Sequence, residues 1–164
     1  MHVNLDVTVF RLAMRAVIIN FALTEMRDVM GNKPVNDVRI LGNIVITPLL
    51  LARDRFNEAI TNIADDLDRD GAIQRFEYCF ELVWKTLKRI LDHKGILVNA
   101  NPRDIFRYAA KESLISDPLP WFDFLEKRNK TSHMYKEEVA VEIAAIFPEF
   151  KLELDAVVEN IQKL

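Results

Sequence analysis

Chemistry could reside in one polar run of this chain, Lys127-Arg128-Asn129-Lys130-Thr131-Ser132-His133-Met134-Tyr135-Lys136. An arginine followed, after four intervening residues, by a histidine can form a metal-free ribonuclease pair. The His133 imidazole would move the proton of a ribose 2′-hydroxyl, and the Arg128 guanidinium would hold the charge developing on the phosphate. Lys127 precedes the pair and Lys130 lies between its members, and both could add positive charge for a nucleotide or a phosphate. The spacing alone is weak: twelve arginines give about 0.2 chance matches at that interval. From the residues alone, an exposed basic helix end is the simpler account.

Geometry adds a requirement. Positions five apart on a continuous helix lie about 140° apart, whereas Arg128 and Tyr135, seven apart, lie within about 20°. Arg128 and His133 therefore need a break in the helix to face one site. Thr131 and Ser132, whose hydroxyls compete for backbone hydrogen bonds, are placed to supply it.

Other chemistries find little support. His2, His93 and His133 are scattered, with no metal-ligand spacing, so no metal is expected. Gly31, Gly42, Gly71 and Gly95 are isolated and build neither a phosphate loop nor a dinucleotide fingerprint, so no cofactor is expected. Cys79, alone in the chain, rules out an internal disulfide, fits a reducing compartment such as the cytoplasm, and is assigned to packing.

The elements that must position the polar run are helical. The chain has 164 residues, half of them hydrophobic, enough for one domain with a core and too few for two ordinary ones. Four glycines and six prolines are too few for a many-turned β structure. A net charge of −3 supplies no global field for nucleic acid, so RNA contact would need a local basic patch. No apolar run is long enough for a membrane span, and the segment from Ala16 to Leu23 reads as neither signal nor anchor.

Leu49, Ala52, Phe56, Ala59, Ile63 and Leu67 recur at helical steps and predict one buried stripe ending near Asp70 and Gly71. A second helix carries Ile73, Phe76, Phe80, Val83, Trp84, Leu87, Ile90 and Leu91, with Tyr78, Cys79 and Leu82 on its flanks. That width suggests two neighbours or a partner chain, and Phe76, Phe80, Trp84 and Leu87 are expected in the core or at a dimer seam. Gly95 is the expected left-handed stop. Asn101-Pro102 and Asp117-Pro118 each open a further helix, and Pro148 should kink or divide the last one. The expected fold is all-α, an antiparallel up-and-down helical bundle with an additional short helix. Ahead of it, Val3, Leu5, Val7 and Val9 alternate like a strand, Val17 to Met30 suggest a helix, and Asn43 to Thr47 could form a further short strand.

Three ordered blocks carry a resemblance: IQRFEYCFELVWKTLK from Ile73, NPRDIFRYA from Asn101 and WFDFLEKRNKTSHMY from Trp121. Together they resemble the HEPN-superfamily nucleotidyltransferase substrate-binding proteins, which include the HepT toxins. The resemblance covers roughly residues 49–164 and leaves 1–48 as an N-terminal extension of uncertain structure, such as an upstream start site would add. It implies a homodimeric bundle encoded beside a minimal nucleotidyltransferase. The signature Arg-x4-His-x-Tyr falls on Arg128, His133 and Tyr135. By resemblance, Arg128 and His133 would be catalytic in a metal-independent ribonuclease acting on RNA, and Tyr135 would be the modification site at which the partner adds AMP to silence it. The family also implies an alternative, a noncatalytic subunit presenting substrate to the nucleotidyltransferase.

Overall fold

A computed structural model describes residues 36–164, of which Asp37–Leu164 form one compact unit. The strand and helix expected before residue 31 lie outside the described residues. The unit opens on a short antiparallel hairpin, β1 (Arg39–Ile40) and β2 (Ile44–Val45), in which Arg39 pairs with Val45 and Ile40 with Ile44. Gly42 takes a positive φ of 80° at the turn, a conformation that costs glycine little. Ile40, Ile44 and Ile46 are buried, so the hairpin has an apolar face despite its size. Val38 N donates to Thr47 Oγ1 at 2.7 Å, fastening the hairpin to the first helix.

That helix, α1 (Thr47–Thr61), stops at Thr61, about two and a half turns short of the end near Asp70 that the apolar periodicity predicts. The reason is a reciprocal cap: Asp65 Oδ1 accepts from Asp68 N at 2.9 Å, and Asp68 Oδ2 accepts from Ala64 N at 3.0 Å. The two carboxylates start a new helix, α2 (Asp66–His93), where the stripe had implied continuity. Gly71 accordingly lies inside α2, and Ile63 and Leu67 are exposed instead of buried.

At 28 residues α2 is the spine of the bundle. It ends as expected on Gly95, with φ 77° and Ile96 N donating back to Leu91 O at 2.9 Å. Then follow α3 (Pro102–Lys111), α4 (Leu119–Lys130), a 3-10 turn (Thr131–His133), α5 (Glu137–Ala144) and α6 (Phe147–Gln162). Asn101 Oδ1 caps α3 by accepting from Arg103 N at 3.0 Å. Asp117 Oδ1 accepts from Leu119 N at 2.9 Å, which moves Pro118 to the cap position of α4 instead of its first turn. Pro148 sits in the first turn of α6, so the last helical stretch is divided as its ring requires.

The result is an all-α up-and-down bundle in which α2 touches α1, α3, α4, α5 and the 3-10 turn. No described helix is long and apolar enough to cross a membrane. The core is aromatic. Phe150 of α6 meets Phe56 at 5.2 Å, Phe76 at 4.7 Å and Phe124 at 5.1 Å between ring centroids, each edge to face, and Trp121 stacks on Phe106 at 4.8 Å. Phe76, Phe80 and Leu87 are fully enclosed, whereas Trp84 is only half-buried. Cys79 is buried, and burial pushes its thiol well above the usual range, consistent with a packing role.

Because Phe150 joins α1, α2 and α4 through four ring contacts, Trp121 being the fourth, Phe150→Ala should cost about 3 to 5 kcal/mol. Trp84→Ala should cost clearly less. Denaturant or thermal unfolding of the two variants side by side checks the order, and an equal loss would contradict it.

Candidate functional site

The polar run begins in the last turn of α4 and continues through the 3-10 turn to the start of α5. Its helix break is built by Thr131, a buried residue whose Oγ1 donates to Arg128 O at 2.8 Å. This bond takes up a carbonyl that a continuing α-helix would have used. The chain then tightens into the 3-10 turn, with Met134 N donating to Thr131 O at 3.2 Å.

The break sends neighbouring side chains to different places. Arg128 turns inward, its side chain only 6% exposed, and its Nη2 lies 2.9 Å from Glu81 Oε1 and 3.5 Å from Glu77 Oε1. Both glutamates belong to α2 and are themselves 12% and 16% exposed. Glu81 also accepts from Trp84 Nε1 at 3.1 Å through Oε2, and Lys85 Nζ stands 3.5 Å from the same oxygen. The half-buried position of Trp84 follows, since its indole N–H serves this carboxylate at the edge of the core.

Lys127 and Lys130, one turn apart, reach toward α5. Their amines meet Glu142 Oε1 at 2.5 and 2.6 Å. Hydrogen bonds from Lys127 and then Lys130 hold the Glu142 carboxyl down to about 2, against an ordinary 4.5. A second tie fixes the start of α5: Arg69 of α2 grips Glu137 with two hydrogen bonds of 2.7 Å. His133 and Tyr135 do the opposite. Both are exposed, Tyr135 at 77%, and their rings lie 6.2 Å apart in an edge-to-face arrangement.

The structure thus brings His133 and Tyr135 together at the surface and Lys127 and Lys130 together on Glu142. It sends Arg128 into the interior. Glu77, Glu81 and Glu142 were absent from the sequence reading. The signal available for the first two was a pair of glutamates four apart, about 40° from each other, inside an unusually apolar helix face.

The Nucleotidyltransferase substrate binding protein like family model matches residues 46–163. The chain belongs to this family. A relative from Haemophilus influenzae, named probable ribonuclease HepT, is 33% identical over 106 residues, spanning 62% of this chain and 73% of its own. A crystal structure from Thermus thermophilus aligns with a TM-score of 0.63 at 29% identity, covering 69% of this chain and 98% of that one. A Haemophilus influenzae structure, described as the fold of a substrate-binding domain of a nucleotidyltransferase, aligns with a TM-score of 0.65 at 29% identity, covering 70% and 96%. The HEPN-like resemblance and the all-α fold class hold on these findings. Within this substrate-binding family, the segment carrying Arg128, His133 and Tyr135 lies inside the matched region.

Two outcomes follow from the geometry. Arg128→Ala would remove the buried cation that two half-buried carboxylates share and should cost about 3 kcal/mol in thermal unfolding, while His133→Ala, at an exposed position, should stay within about 0.5 kcal/mol. For Glu142 the sign is that of a depressed acid: its tie contributes above the ordinary carboxylate range and is lost as pH falls through about 2. An NMR titration of the Glu142 carboxyl should find its midpoint near that value in the wild type and move toward 4.5 in Lys127→Met/Lys130→Met. An unmoved midpoint would refute the pairing.

Proposed function

We propose that the protein is the HEPN-type partner of a minimal nucleotidyltransferase and a metal-independent endoribonuclease. The observation that carries this reading is the exposure of His133 and Tyr135 side by side, directly after the helix end that anchors Arg128. His133 takes the proton of a ribose 2′-hydroxyl. The 2′-oxygen forms a bond to phosphorus, the bond to the 5′-oxygen breaks, and that oxygen takes up a proton from water while His133 returns its own to solvent, leaving a cyclic phosphate and a 5′-hydroxyl. The lysine pair of Lys127 and Lys130 supplies the positive charge that meets the phosphate, and Arg128, held by Glu77 and Glu81, positions the helix end that carries the pair.

Tyr135 is the modification site in the same reading. Its hydroxyl attacks the α-phosphorus of ATP on the partner enzyme, gives up its proton and releases pyrophosphate. The added adenylate then covers His133 with bulk and negative charge. A cytoplasmic homodimer completes the proposal, supported by Tyr78, Leu82 and Trp84, which stay half-exposed along α2. Two copies of the segment would flank the dimer axis. The acting domain is the compact unit Asp37–Leu164, which contains the stretch 49–164, and the residues before it are an N-terminal extension.

One observation favours a second reading. Arg128 is already engaged by two carboxylates and nearly closed off from solvent, as a structural arginine would be. A noncatalytic subunit that presents substrate to the nucleotidyltransferase needs no free guanidinium. Activity separates the two. For the ribonuclease, His133→Ala should lower RNA cleavage by about 10² to 10⁴ while the fold is kept, and EDTA should leave the rate unchanged. Tyr135→Phe should cut RNA yet escape AMP transfer, read by the mass of the protein after incubation with the nucleotidyltransferase and ATP. Absence of cleavage by the wild type would favour the presenting subunit.

A further inference from the structure

The three cations at the end of α4 are all met by carboxylates of this chain, yet under different conditions. Glu77 and Glu81 hold Arg128 in the interior. Glu142 holds exposed Lys130 and half-buried Lys127 at the rim of the bundle, with its own side chain 38% exposed. A guanidinium paired inside the bundle cannot exchange partners without unpairing buried charges, whereas a carboxylate on two surface amines competes with solvent and ions at every moment.

We infer that the Lys127–Lys130 pair is a seat for a phosphate ester of the RNA backbone, and that Glu142 is its internal occupant, which must swing away before a phosphate can enter. The inference rests on the RNA reading of the segment and adds its control element. A carboxylate oxygen shared by two ammonium groups mimics a phosphate oxygen in charge and in acceptor geometry. The carboxylate also stays ionised through the physiological range, so it never leaves by protonation. Its departure need not detach α5, because that helix is independently held by the Arg69–Glu137 fork and by buried Ala140 and Ile143. The incoming phosphate replaces one anion with another and leaves the charge balance of the helix end unchanged. Wild-type affinity should accordingly be weak, and the gain on removing Glu142 should be electrostatic and salt-sensitive.

A 2′-O-methyl RNA hexamer, which lacks the attacking hydroxyl, is the probe, with binding read by fluorescence anisotropy at low salt on the full chain. Glu142→Gln should bind it about three- to tenfold more tightly than wild type. Glu159→Gln, which removes the same charge from an exposed position of α6, should leave affinity within about twofold. Adding Lys127→Met and Lys130→Met to Glu142→Gln should abolish the gain. Glu142→Asp, too short to bridge both amines, should tighten binding by an intermediate factor and serves if the Gln variant fails to fold. Equal affinity of wild type and Glu142→Gln, or an equal gain in Glu159→Gln, would overturn the inference. In a parallel arm, binding of an imido analogue of ATP without binding of the hexamer would overturn the assignment to RNA. Cleavage of unmodified RNA is scored separately. A gain in hexamer affinity without cleavage by any form would sink the ribonuclease and keep the seat, whereas cleavage with no gain would sink the seat alone.

Discussion

Arg128 crosses from α4 into the interior and meets two carboxylates of α2 placed one turn apart. Apolar helix contacts tolerate small slides and rotations, because a methyl group finds a similar neighbour after a shift. A guanidinium with a 2.9 Å bond to one carboxylate and a second carboxylate 3.5 Å away tolerates far less. The pair therefore fixes the register of α4 on the spine helix. Everything beyond it follows from that register, including where the helix ends, where the 3-10 turn begins and which way the next side chains face. The cost of bringing three charges out of water is met only because all of them are close together and Glu81 is further served by Trp84 and Lys85.

From this anchor the segment divides its residues by depth. Thr131 is buried and closes the helix on the Arg128 carbonyl, while His133 and Tyr135, a few positions later, are left in solvent. In the proposed ribonuclease, the groups that exchange protons or accept an adenylate have to be reachable, whereas a group that holds a helix in place is served by enclosure. Arg128 and His133 are close in sequence and opposite in environment. The helix break at Thr131 is what makes both possible within one short stretch.

Much of the bundle could be read from the chain itself. Gly95, Asn101 and Pro148 act as the helix punctuation their chemistry implies, since these effects are local and need no distant partner. The boundary between α1 and α2 departs from the apolar rhythm for an equally physical reason. The apolar rhythm from Leu49 to Leu67 continues across the break, but Asp65 and Asp68 cap a new helix and outweigh the gain from burying Ile63 and Leu67. Periodicity reports which residues could share a face. It does not report whether the backbone stays helical between them.

The sequence by itself determined the all-α class, most helix ends, the aromatic core and the presence of an arginine, a histidine and a tyrosine in one polar run. Those properties depend on side-chain type and on separations of a few residues. Only the tertiary structure decided what becomes of the charges. Glu77 and Glu81 reach Arg128 because α2 and α4 pack side by side, and Glu142 reaches Lys127 and Lys130 because the chain turns back after Thr131. Electrostatic partners are chosen by distance in space and by exclusion of water, and neither is encoded in spacing along the chain.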